Sequence, residues 1–198
     1  MVSGNMIKYN ESMICYVNNF VTEAEVSLIN EYINSLEPKY NKDVFYIDKI
    51  DSEHSEHRQV TNQDVVATVR KLENRIRNYI ENVYFPDSGL ELVKVSWIRE
   101  LELIRWLEGS TLAPHSDGSS DDPEFPMINI GALIYLNNDY EGGEIKFNDY
   151  DLTFKPDLGD LVIFPNHYIH EVLQVKKKDQ VTRRHTMPVF YSFIVKEK

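Results

Sequence analysis

LIRWLEGSTLAPHSDG, residues 103–118, carries an apolar segment through a Gly-Ser turn signal into His115-Ser116-Asp117. Side chains alternate faces along extended backbone, so His115 and Asp117 are expected to project the same way from one strand edge while Ser116 points elsewhere. If His170, in HYIHEV well downstream, arrives at the same spot from another strand, two imidazoles and one carboxylate share one face of a metal ion. That donor set suits a non-haem Fe(II) centre with its remaining positions open. His167 rivals His170 as the third ligand. The Phe-Pro run followed by His-Glu-Val favours His170, leaving His167 at the surface.

Outward from this stretch, the chain from Leu90 onward breaks into short apolar runs separated by Gly, Pro and Asn-Asn turn signals. The runs are ELVKVSWIRELELIRWLE, STLAPHSD, INIGALIYLN, GEIKFND, DLTFKPD, DLVIFPN, HEVLQVK and TMPVFYSFIV, which predict about eight strands. Together with helices upstream they predict an α+β, mainly β fold. Its core is a jelly roll enclosing a pocket between two sheets. The segment GSSDDPE and the following Pro123 to Pro126 are expected to form a loop beside the metal, where a lid would be useful.

Upstream, MICYVNNFV predicts a short strand. Thr22 with Glu25 is a capping box, and Val26, Ile29, Ile33 and Leu36 follow at helical spacing until Pro38. Lys39 to Gln59 is polar and acidic, with an edge strand expected around Val44 to Ile47 and mobility elsewhere. His54 and His57 within it lack a third ligand nearby. A second helix, capped by Thr61 or Asn62, carries the apolar stripe Val65, Val69, Leu72, Ile76, Tyr79 and Val83. Pro86 and Gly89 punctuate its end.

The chain has 198 residues, 42% of them hydrophobic, enough to bury the core of a single domain. Residues 1–89 are expected to give the helical support and 90–198 the jelly roll. No apolar run approaches the roughly 18 residues of a membrane span, and the first residues lack the apolar core of a secretory signal, so a cytoplasmic protein is expected. Cys15 is the single cysteine, which excludes an intrachain disulfide. A formal charge of -11 disfavours nucleic acid as a partner. Oligomeric state is not legible.

The P-H-x-D block, the L-I-Y-L-N strand, the E-G-G-E-I hairpin, the P-x-x-G-D-L-V-I-F-P run and the H-E-V after it occur in this order. Together they resemble the prolyl 4-hydroxylase-like branch of the 2-oxoglutarate/Fe(II) dioxygenases, from about Leu101 to Phe193. The resemblance implies a double-stranded β-helix (a cupin-like jelly roll) braced by the N-terminal helices. It also implies Fe(II), 2-oxoglutarate as cosubstrate, O2, and ascorbate as a reductant. The implied activity is oxidative decarboxylation of 2-oxoglutarate to succinate and carbon dioxide, coupled to hydroxylation of a prolyl residue in a peptide or protein. Hydroxylation of a free amino acid or other small molecule is the alternative enzyme reading. A non-catalytic jelly-roll binding module is the alternative outside enzymes.

Six-coordinate Fe(II) with His115, Asp117 and His170 keeps three positions, enough for bidentate 2-oxoglutarate and dioxygen. The distal carboxylate of 2-oxoglutarate then needs a buried counter-ion. Arg184 is the candidate, with Thr186 on the same face, in Arg184-His185-Thr186, which resembles the family's R-x-S element. Arg183 competes, because the link VKKKDQVTRR is longer than the family's. By resemblance Tyr135 points inward and holds the same carboxylate. Trp106 stands where the family usually has a tyrosine that bonds the cosubstrate near the metal, and an indole can donate there but not accept.

Overall fold

In a computed structural model of the chain, residues 6–8, 12–47, 57–118, 127–178 and 183–197 are described. Two short strands, β1 (Met6–Lys8) and β2 (Cys15–Val17), precede helix α1 (Glu23–Ser35). The capping box forms at its start: the Thr22 amide donates to Glu25 Oε2 at 2.9 Å. Val26, Ile29 and Ile33 are fully buried, and the helix stops just ahead of Pro38, whose ring disfavours a helical residue before it.

Strands β3 (Lys42–Tyr46) and β4 (His57–Gln59) lead to helix α2 (Gln63–Tyr79). Asn62 is its cap, accepting from the amides of Asp64 and Val65 at 3.0 and 3.2 Å. The expected stripe holds through Ile76 and then shifts. A five-residue π turn (Ile80–Tyr84) rotates the helix, so Ile80 and Tyr84 are buried in place of Val83, and α3 (Phe85–Ser88) ends at Gly89 with φ 81°.

The strands that follow are β5 (Leu90–Leu107), β6 (Leu112–His115), β7 (Met127–Tyr135), β8 (Glu141–Gly142), β9 (Ile145–Phe147), β10 (Leu152–Phe154), β11 (Leu161–Pro165), β12 (His170–Val172), β13 (Val175–Lys176) and β14 (Arg183–Glu197). Among the described residues a large sheet runs β1-β2-β11-β7-β14-β5-β3-β4, facing a smaller one ordered β10-β9-β12-β6. The two form the double-stranded β-helix expected from sequence.

One expectation upstream is corrected. β3 is not an edge strand: it pairs with β5 on one side and, in parallel, with β4 on the other, so β4 takes the edge. The strand expected around Val44 to Ile47 does form, with Val44 and Phe45 buried on the sheet's two sides. His54, the rest of 48–56 and most of the expected lid, at 119–126, lie outside the described residues.

Alternation along the central strands sorts side chains between two environments. In β7 and β14, Ile130, Ala132, Ile134, Met187, Val189 and Phe193 pack under α1 and α2. Leu133, Tyr135, Thr186 and Pro188 face the small sheet, in the register Tyr135↔Thr186 and Leu133↔Pro188. On the helix side of β5, the fully buried Arg105 ties three elements together. Its Nη1 donates to the carbonyls of Ile33 (2.7 Å) and Leu36 (2.6 Å) at the C-terminus of α1, and its Nη2 pairs with buried Asp43 of β3. Burial alone would raise the Asp43 pKa, but Arg105 and the amides of Lys39 and Tyr40 outweigh it and hold the carboxyl below its ordinary range. Removing one partner of such a pair strands the other charge in the core. Asp43→Ala is therefore expected to cost about 3–5 kcal/mol in urea unfolding. An unchanged midpoint would contradict this role for the pair.

Candidate functional site

β6 and β12 are neighbours in the small sheet, and their register sets His115 directly opposite His170. Asp117 follows β6 by two residues, held there by its amide, which donates to the carbonyl of Asn166 at 2.9 Å. His115 Nε2 lies 3.3 Å from Asp117 Oδ1, and His170 Nε2 lies 3.4 Å from Asp117 Oδ2. One ligand atom from each of the three residues falls within 4.8 Å of the others, the spacing of donors around a single ion.

The tautomers follow from the backbone. His115 Nδ1 lies 2.9 Å from the Ala113 carbonyl and His170 Nδ1 lies 3.0 Å from the Tyr168 carbonyl. A carbonyl can only accept, so each Nδ1 carries the proton and each Nε2 keeps its lone pair toward the others, the arrangement in which backbone acceptors orient metal-binding imidazoles. Hydrogen bonding to Asp117 raises the His115 pKa, whereas burial lowers that of His170. His167 is exposed, stacked edge-on against Tyr168, and outside the cluster.

A cavity of about 200 Å³ runs between the sheets from these three residues to Arg184. Arg184 is 1% exposed. Its Nη2 donates to Tyr135 Oη at 3.3 Å, and its Nε has no partner. Among the described residues no carboxylate pairs with it, so a buried cation faces the cavity uncompensated. Arg183 points the other way, its Nη1 donating to Asn34 Oδ1 at 2.7 Å on the helix side. The register Arg184↔Trp106 thus resolves the two arginines as alternation requires.

The E-G-G-E hairpin has a steric reason. A Cβ on Gly142 would sit 2.2 Å from the Gln174 carbonyl, and one on Gly143 would sit 3.0 Å from Arg184 Cδ. Both glycines have positive φ as well. The cavity wall near Arg184 is Trp106, whose Nε1 donates to Thr186 Oγ1 at 3.3 Å.

Tyr140, packed against Arg184, and Lys42, on the cavity wall, escaped the sequence reading. Tyr140, in NDYEGG, is fully buried beside Arg184, with a hydroxyl that has no hydrogen-bond partner and a pKa raised by burial, so it stays a proton donor. Lys42 faces the cavity from β3. An aromatic just ahead of a glycine pair was a usable signal for Tyr140. Nothing local distinguishes Lys42 from the solvated lysines around it.

Residues 101–192 match the family model described as the 2OG-Fe(II) oxygenase superfamily. A PKHD-type hydroxylase of Cupriavidus pinatubonensis is 32% identical over 85 residues, 39% of this chain and 37% of that protein, so the alignment spans well under half of the relative's length. The fold resembles that of the viral collagen prolyl hydroxylase of Paramecium Bursaria Chlorella virus-1, with a TM-score of 0.64 at 17% identity over 93% of this chain and 97% of that one. It also resembles a Trichoplax adhaerens prolyl hydroxylase in complex with a hypoxia inducible factor peptide fragment, with a TM-score of 0.60 at 14% identity over 92% of this chain and 84% of that one.

If the three-residue cluster holds a divalent ion, His170→Ala removes one of three ligands while His167→Ala removes none. Calorimetric titration with Mn(II) is expected to show binding lost in His115→Ala, Asp117→Ala and His170→Ala and unchanged in His167→Ala. Loss in His167→Ala with retention in His170→Ala would exchange the two assignments.

Proposed function

We propose that the protein is an Fe(II)- and 2-oxoglutarate-dependent dioxygenase hydroxylating prolyl residues of a peptide or protein, a reading supported by the match of residues 101–192 to the 2OG-Fe(II) oxygenase superfamily model. The observation that carries this reading is Arg184, a buried guanidinium with no carboxylate, at the far end of a cavity that begins at two histidines and an aspartate. Burying an uncompensated charge is unfavourable, and a ligand carboxylate in the cavity would remove that cost. The donor set fits Fe(II): two neutral imidazole nitrogens and one carboxylate, with the rest of the coordination sphere open.

His115, Asp117 and His170 would hold the metal. Arg184 would anchor the distal carboxylate of 2-oxoglutarate, with the Tyr135 hydroxyl, already within 3.3 Å of Arg184, as the second donor. Thr186 accepts from the Trp106 indole and so fixes the wall along which the cosubstrate lies. When bound, the metal and cosubstrate supply the oxidising chemistry, with ascorbate as reductant. The chain's own contribution is to orient the dianion and to exclude water with Trp106, Leu133 and Ile145. Prolyl specificity is supported by the names of the similar folds, one of them in complex with a peptide. A cytoplasmic location accords with the sequence, and among the described residues no helix is long and apolar enough to cross a membrane.

The test uses succinate release together with mass spectrometry of proline-containing peptides. Wild type is expected to add one oxygen to a peptide. Arg184→Met is expected to raise the Michaelis constant for 2-oxoglutarate by roughly 100-fold or more, as loss of a buried charge partner does, with that for the peptide little changed. Arg183→Met leaves both. Oxidation of free proline at a rate comparable to any peptide would replace the prolyl-peptide reading with a small-molecule one.

A further inference from the structure

Trp106 has one hydrogen-bond donor, and it is already committed. Its Nε1 points across the cavity wall to Thr186 Oγ1 at 3.3 Å, so the indole walls the site without offering a proton to a ligand. The group lying over the ring is Lys42. It is directly opposite Trp106 in the register of β3 and β5, and its Nζ is 4.6 Å from the ring centroid. Arg184 Cζ is 5.2 Å from the same ring. One indole therefore holds two cations in place, both facing the cavity that contains His115, Asp117 and His170.

Among the described residues Lys42 Nζ makes no hydrogen bond or ion pair. The residue as a whole is exposed, yet its ammonium is turned inward over the indole, where burial lowers its pKa against the raising effect of Glu102 and Asp117. An ammonium held over the indole at the cavity, with its stem laid along the sheet and its head free to donate, can reach a ligand bound there. Arg184 enters the cavity from β14, with Tyr135 of β7 behind it, on one side of β5, whereas Lys42 enters from β3 on the other. The charge of Lys42 is also felt by His115 and Asp117 at the metal end.

We propose that Lys42 is a cosubstrate-binding residue whose ammonium donates to the metal-proximal carboxylate of 2-oxoglutarate, in place of the donor that Trp106 does not offer. This rests on the cosubstrate reading above. Lys42 lies outside the matched segment 101–192, so the upstream part of the chain contributes a ligand contact to the site and does more than brace it.

The test is calorimetric binding to the full chain loaded with Mn(II), without turnover, using two probes. 2-Oxoglutarate carries both carboxylates. 2-Oxobutyrate keeps the chelating keto acid end and lacks the distal carboxylate. Lys42→Met is expected to weaken both probes by about tenfold or more, the usual effect of losing a charge-assisted hydrogen bond, and Lys42→Arg to restore most of the loss. Arg184→Met is expected to weaken 2-oxoglutarate alone. An unchanged urea midpoint in Lys42→Met separates lost binding from lost fold. Wild-type affinity for both probes in Lys42→Met overturns the proposal, as does a loss confined to 2-oxoglutarate, which would place Lys42 at the distal carboxylate. If the wild type with Mn(II) binds no 2-oxoglutarate, the cosubstrate reading fails and the proposal with it.

Discussion

A guanidinium buried without a carboxylate is the constraint around which this molecule is arranged. Two arginines lie on adjacent strands of the large sheet, both essentially removed from water, and they are treated oppositely. Arg105 faces the helices, where its two Nη atoms are taken up by Asp43 and two carbonyls at the end of α1. Arg184 faces the other sheet, with one tyrosine hydroxyl and an unpaired Nε. The first arrangement is structural, because every donor direction it uses ends on the protein. The second lacks a carboxylate partner among the described residues, and the cavity that begins at His115, Asp117 and His170 is where an anion would complete it.

Both outcomes follow from strand alternation. Arg105 and Trp106 are sequence neighbours on β5, and the period of two sends one to the helices and the other to the cavity. The same rule separates Arg183 from Arg184, and Asp43 from Lys42. Because Asp43 is locked by Arg105, the register of β3 against β5 is locked too, and with it the position of Lys42 over Trp106. A structural ion pair on one face of the sheet thus positions a cation on the other.

Much of this was legible in the sequence, and the exceptions have physical reasons. The H-x-D spacing placed His115 and Asp117 together because alternation is local. His170 was legible because the Phe-Pro turn and His-Glu-Val set a strand start, although its meeting with His115 depends on a pairing 55 residues apart. Arg183 and Arg184 could not be separated without knowing which face of β14 looks inward, and register alone supplies that. Val83 was misplaced because a π turn leaves no mark in a 3.6-residue pattern. Lys42 was invisible, since its role depends on β3 lying between two other strands, whereas a polar stretch read alone predicts an exposed edge.

The central claim is that this cavity brings 2-oxoglutarate and Fe(II) together for reaction with dioxygen. Its most direct measurement follows 18O2 through the reaction of the full chain with Fe(II), 2-oxoglutarate and a proline-containing peptide. The account predicts one labelled oxygen atom in the carboxylate of succinate, with carbon dioxide released in equal amount and a second labelled atom in the hydroxylated peptide. Persistence of 2-oxoglutarate alongside Fe(II) and oxygen, with no labelled succinate formed in the presence or absence of peptide, would contradict it.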